Sequence, residues 1–174
     1  MAKDKKKKFA SQQRVLVDNA NISSDLKFRI EEPYKSIRAN IMFSVVKKGC
    51  KIIVVSSSLP NEGKTTTTVN LAASISQADQ RVLLIDGDLR KPKIHQYFSI
   101  SSAPGLTDYL SDVASARHKM DIFGIIHPTK YENLSVIASG TIPPNPAELL
   151  GSDFMRDFLN GISKDFDYII IDTP

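Results

Sequence analysis

Lys64 follows Gly63 and precedes Thr65 and Thr66 in a segment, Ser56–Thr68, that reads SSSLPNEGKTTTT. These residue types suit a polyphosphate. Backbone N–H groups and a helix N-terminus converge on an anion, the glycine lets the backbone approach, and the lysine adds a mobile positive charge. The Thr65 hydroxyl is placed to ligate magnesium. The loop departs from the phosphate-loop consensus at its first glycine: it runs Ser58, Leu59, Pro60, Asn61, Glu62, Gly63, Lys64, Thr65, with Thr66 next. A plain strand-to-helix connection capped by Asn61 or Thr65 is the alternative reading.

Three aspartates could complete the chemistry. Asp86 and Asp88 follow the apolar run RVLLI, and Asp172 follows DYIII. An aspartate at the end of one buried strand is commonplace; three at the sheet edge that holds Lys64 would make a phosphoryl-transfer site, where catalysis is mostly positioning and charge neutralisation. Asp172 is then expected to reach magnesium, together with Thr65, Asp86 and Asp88. One of Asp86 and Asp88 would accept the proton of an attacking hydroxyl, and spacing alone leaves open which.

The elements that must position these residues alternate. Lys51–Ser56 reads as a short buried strand, Lys64 to about Gln77 as a helix, and Arg81–Ile85 as a second buried strand. That order requires a right-handed crossover and a parallel sheet, with the strand ends on one ligand-binding edge. Further on, a short helix is expected near Leu106–Leu110, irregular chain from Ser111 to Lys130, and a third strand at Asn133–Ala138. SGTIPPNPAELL opens a helix with Asn145 as cap and Pro146 first. A helix over about Ser152–Gly161 leads to the strand Asp167–Ile171. Upstream, EPYKSIRANIMFSVVKK predicts a helix from Glu32, with Pro33 in its first turn, a stripe of Tyr34, Ile37, Ile41 and Val45, and Lys47, Lys48 and Gly49 at its end. Glu32, Lys35 and Arg38 recur every third residue, as a solvated face or as a patch for a neighbouring subunit. The fold expected is α/β, a doubly wound and mainly parallel sheet. Residues 1–30 form a basic flexible arm and 31–174 the domain.

Bulk properties narrow the classes. The 174 residues carry a formal charge of +4, and the excess lies in Lys3, Lys5, Lys6, Lys7, Lys8 and Arg14. Such a run suits weak contact with anionic lipid or a solvated tail. A nucleic-acid reader would spread basic residues over a face and interleave aromatics, so nucleic acid is not an expected partner. No apolar run approaches the ~20 residues of a membrane span. The single cysteine, Cys50, fits a reducing compartment and reads as a small apolar residue at a strand entrance. His95, His118 and His127 lack zinc-ligand spacing, and no serine sits in a nucleophile elbow.

SSSLPNEGKTTTTVNLA, VLLIDGDLRKP, SGTIPPNPAELLGSDFM and FDYIIIDTP, in this order, resemble the bacterial tyrosine kinases of capsule and exopolysaccharide synthesis. In that family the first phosphate-loop glycine is commonly absent, and IDGDLR matches a second acidic motif. The resemblance implies a P-loop nucleotide-triphosphatase fold and transfer of the γ-phosphoryl group of ATP to tyrosine, with Mg²⁺ as cofactor and phosphorylation between copies. It assigns Lys64 and Thr65 to phosphate and magnesium, Asp86 and Asp88 to the acidic pair, and Asp172 to the second magnesium-associated acid. Glu32, Lys35 and Arg38 match an oligomerisation motif, with lysine where the family has arginine. It further implies a homo-oligomeric ring and a separate transmembrane adaptor, which would hold a cytoplasmic kinase at the inner face of the membrane. Family kinases continue beyond the strand that ends at Asp172, so the domain is expected to be incomplete at its C-terminus. Partition and cell-division ATPases are the rival; they place a lysine where this chain has Leu59. A non-catalytic ATP-binding regulator is the third reading.

Overall fold

The computed structural model describes residues 24–44, 48–59, 61–116 and 119–174. The basic arm up to residue 23, together with Val45, Lys47, Pro60 and His118, lies outside the described residues.

Five strands form one sheet: β1 (Lys51–Val55), β2 (Val82–Asp86), β3 (His127–Pro128), β4 (Leu134–Ile137) and β5 (Tyr168–Asp172). Their order across the sheet is β1-β5-β2-β4-β3, parallel except for the β3–β4 pair. All five residues of β2 and of β5 are buried, because a parallel strand covered on both faces needs apolar side chains in both directions. β5 lies between β1 and β2, which are joined in sequence by a crossover helix but do not touch as strands.

The two faces carry separate cores. Val82, Leu84 and Ile170 point to one face, beneath Val69, Ala72, Ala73 and Ile75 of α2 (Lys64–Ser76). Helix α1 (Ser24–Ser44) covers that face further, through Tyr34 and Ile41. Leu83, Ile85, Ile169 and Ile171 point to the other face. Over them lie Leu106 and Leu110 of α4 (Leu106–Ala114) and Met155, Phe158 and Ile162 of α6 (Asp153–Ile162). The short α3 (Ile94–Phe98) follows β2, and α5 (Pro146–Leu150) precedes α6. The arrangement is the doubly wound α/β sheet that the alternating pattern predicts.

Several boundaries differ from expectation. Helix α1 begins at Ser24, inside the stretch assigned to the arm, and Pro33 sits within it instead of in its first turn. The expected stripe is only partly inward: Ile37 is 41% exposed. The stretch expected to be irregular contains the end of α4, a 3₁₀ turn at Ile122–Ile125 and strand β3. Pro146 opens α5 and Asn145 stands at its cap position as expected, but the cap is made by the Asn145 carbonyl, which accepts from Leu149 N at 3.2 Å, while its Nδ2 donates to Glu148 at 2.8 Å. No helix among the described residues is long and apolar enough to cross a membrane.

Candidate nucleotide site

The connection from β1 to α2 ends in a left-handed residue, Gly63, at φ 92°. An added Cβ there would meet nothing within 4 Å, so the backbone angle and not crowding selects glycine. Among the described residues no side chain caps α2; neither Asn61 nor Thr65 serves. The first turn therefore keeps N–H groups for an anion, reinforced by the helix dipole.

The loop opens into a cavity of about 710 Å³ lined by Ser57, Ser58, Leu59, Asn61, Gly63, Lys64, Thr65 and Thr66 on one side. Asp88, Arg90, Lys91, Lys93 and Tyr97 face them. Glu62 is exposed and uses Oε2 to accept the Leu59 N–H at 3.2 Å, bracing the loop. Pro60 lies outside the described residues.

The carboxylates occupy different positions. Asp172 is buried at the end of β5, where Thr65 Oγ1 donates to its Oδ2 at 2.7 Å and Thr68 Oγ1 to its Oδ1 at 3.0 Å. Burial raises its pKa, opposed by the two threonine hydroxyls. Asp86 stands beside it in register on β2 and is fully buried. Its Oδ2 accepts the N–H groups of Lys93 at 3.0 Å and Ile94 at 2.9 Å, while Oδ1 has no hydrogen-bond partner among the described residues. Burial pushes the Asp86 carboxyl up to about 7, helped by the neighbouring Asp172 and opposed by the Ile94 and Lys93 N–H groups. Asp88 alone of the three lines the cavity, its Oδ1 accepting from Lys91 N at 3.0 Å and Arg90 N at 3.3 Å.

Gly87, between the two acids, brings β2's exit against β5. Its N–H donates to Asp172 O at 2.8 Å, and a Cβ would lie 2.7 Å from that oxygen. The loop carrying Asp88 can follow the sheet edge only because position 87 has no side chain.

The donor set suits a hydrated divalent cation. Among the described residues no group of three or more acidic, histidine or cysteine side chains could cage a metal. Magnesium bound to a nucleotide keeps several waters and takes few protein ligands, so one hydroxyl with a carboxylate behind it suffices. Thr65 gives its proton to Asp172 and keeps its oxygen lone pairs. The expected ligand set of Thr65, Asp86, Asp88 and Asp172 is thus split by the structure: Thr65 lines the pocket with Asp172 behind it, Asp88 faces it, and Asp86 is engaged by the chain after β2.

Tyr97 packs against the core on the α2 face and brings its hydroxyl within 3.1 Å of Thr66 Oγ1 at the site. Arg90, Lys91 and Lys93 were legible as a basic run directly after Asp88, but their place on the cavity wall was not. Glu32, Lys35 and Arg38 do not line the cavity: Lys35 pairs with Glu32 at 2.9 Å along α1, and Arg38 donates to the Ser74 carbonyl of α2. The expected row of three is therefore divided between a surface ion pair and an internal strut.

A glycine-turned loop running into an uncapped helix, with lysine, two hydroxyls and a buried acid at the edge of a parallel sheet, defines a P-loop nucleotide-binding domain. Residues 50–174 match the AAA domain family. The chain belongs to the bacterial tyrosine kinases within that fold. It is 40% identical over 143 residues to tyrosine-protein kinase YwqD of Bacillus subtilis, covering 82% of this chain and 58% of that protein. It is 42% identical over 146 residues to tyrosine-protein kinase CpsD of Streptococcus pneumoniae, covering 83% and 61%. The solved kinase domain of Escherichia coli tyrosine kinase ETK superposes with TM-score 0.76 at 34% identity, over 91% of this chain and 57% of that one. The septum site-determining protein MinD of Pyrococcus horikoshii, at 23% identity and TM-score 0.58 over 72% and 49%, shares the fold alone. The chain spans about three fifths of the length of YwqD and CpsD.

Proposed function

We propose that the protein transfers the γ-phosphoryl group of ATP to tyrosine hydroxyls, including those of other copies of itself, in the control of capsule or exopolysaccharide synthesis. The observation that carries this reading is the meeting of Lys64, Thr65 and Asp88 in one cavity with Asp172 hydrogen-bonded behind Thr65. Lys64 and the N–H groups at the start of α2 hold the β- and γ-phosphates. Thr65, backed by Asp172, holds Mg²⁺, which supplies charge neutralisation across those phosphates. Asp88 faces the cavity and is the base for the acceptor hydroxyl. Asp86 fixes the chain that carries Asp88.

The site residues, domain limits, partners and location belong to the same proposal. Phe28 and Phe43, 60% and 82% exposed on α1, with Glu32 and Lys35 on the same helix, support a contact between copies in a ring. A separate transmembrane adaptor would bring the kinase to the inner face of the membrane, with the lysine-rich arm adding a weak contact to anionic lipid. In the test, the full-length protein is incubated with ATP, Mg²⁺ and the adaptor's cytoplasmic segment. Phosphotyrosine should appear, and Lys64→Met should abolish it. ATP hydrolysis with no phosphotyrosine would instead point to a positioning ATPase.

A further inference from the structure

The cavity carries more positive charge than a phosphate loop requires. Its lining holds four cationic side chains, Lys64, Arg90, Lys91 and Lys93, against one acidic side chain, Asp88. Lys64 belongs to the phosphate loop; the other three come from the chain after β2. None of those three has a side-chain hydrogen bond or ion pair among the described residues. Their backbone is nevertheless held, because Asp88 accepts the N–H groups of Arg90 and Lys91 and Asp86 accepts that of Lys93. The structure thus fixes the main chain of a cationic segment while leaving its charges unpaired.

Asp88 is two residues from Arg90 and three from Lys91. A hydroxyl presented to Asp88 therefore brings the residues flanking it against this wall. We propose that the acceptor side of the site selects tyrosines flanked by glutamate or aspartate, whose carboxylates pair with Arg90, Lys91 and Lys93. The inference rests on the phosphotransfer reading and names its substrate class. Charge complementarity of this kind discriminates between partners by attraction to the right one and repulsion of the wrong one.

Binding tests this separately from turnover. The protein, saturated with Mg²⁺ and a non-hydrolysable ATP analogue, is titrated with two fluorescent peptides, a tyrosine flanked by glutamates and the same peptide with glutamines. The acidic peptide should bind about tenfold tighter, the sum of a few partly exposed ion pairs. The difference should shrink as salt rises. Lys91→Gln with Lys93→Gln should erase the preference, and Lys91→Glu with Lys93→Glu should turn it towards a lysine-flanked peptide. Lys164→Glu, an exposed cation on another part of the chain, should leave it intact. Equal affinity for both peptides, or a preference for the acidic peptide that appears only when the analogue is left out, would overturn the inference and return the three cations to the nucleotide. Loss of the parent reading has a different signature: no phosphotyrosine from the full-length protein with its adaptor segment, whatever the peptides do.

Discussion

Thr65 and Asp172, 107 residues apart, are joined by a 2.7 Å hydrogen bond from the Thr65 hydroxyl to Oδ2. Thr68, one turn along α2, holds the other carboxylate oxygen. The acid at the tip of β5 is thereby locked to the helix that opens the phosphate loop. Asp172→Asn keeps the shape but replaces one acceptor oxygen with an amide donor facing a hydroxyl. Affinity for nucleotide should fall about 10–100-fold in the presence of Mg²⁺, the usual cost of losing an outer-shell partner, and change little in chelator. Titration with a fluorescent nucleotide under both conditions checks this.

Gly87→Ala drives a methyl group to 2.7 Å from the Asp172 carbonyl and 2.9 Å from Ile171 Cγ2. Both neighbours lie in β5, paired on both sides, so neither can yield cheaply. We expect a destabilisation of about 1–3 kcal/mol in urea unfolding, with weakened nucleotide binding in the folded fraction.

Arg38 donates to the Ser74 carbonyl and ties α1 to the last turn of α2, whereas Lys35 and Glu32 pair on the surface. Arg38→Ala should cost about 1–2 kcal/mol of stability, whereas Lys35→Ala, at a solvated ion pair, should leave the urea midpoint unchanged. Replacing all three by alanine should lower the assembled mass in sedimentation if α1 joins copies. Unchanged mass with the Arg38 stability loss intact would confine the row to holding α1.

Asp86 makes stability depend on pH in an unusual direction. Its carboxyl moves from 3.8 to about 7 on folding, so the folded state binds the extra proton between those values. Stability should therefore be greatest below the lower value and fall as pH rises through the upper one, by at most about 4 kcal/mol. Asp86→Asn should flatten that slope, because its amide oxygen can still accept from Lys93 and Ile94. Asp167 acts oppositely. Arg81 lowers its pKa through a 3.0 Å ion pair, so that contribution is present above the ordinary carboxylate range and lost as pH falls through the lowered value. Being partly exposed, it should amount to less than about 1 kcal/mol. Urea unfolding in metal-free buffers across pH separates the two.

The strands that carry the acids were legible because RVLLI and DYIII are apolar without alternation, the mark of strands covered on both faces. The helix after Lys64 was legible for a similar reason. What the sequence did not disclose is pairing between distant segments. Nothing local in DYIII says that it enters between β1 and β2, yet that insertion sets Asp172 beside Asp86. The two-residue β3 contains Pro128 and is too short to leave a pattern. Helix α1 ran through Pro33 because the residues before it, SDLKFRIEE, also form helix, so the proline marked no boundary. Asp86 and Asp88 look equivalent as letters; burial and two backbone donors separate them.

The position of β5 gives binding a folding meaning. Because β1 and β2 contact each other only through the strand made last among the five, no fragment ending before residue 168 can assemble the acid, the threonine pair and the loop together. A nascent chain would present Lys64 long before it could use it. Nucleotide capture of the kind proposed would therefore report that β5 has taken its place between β1 and β2, and loss of β5 from that place would part the loop from its acid and β1 from β2 together.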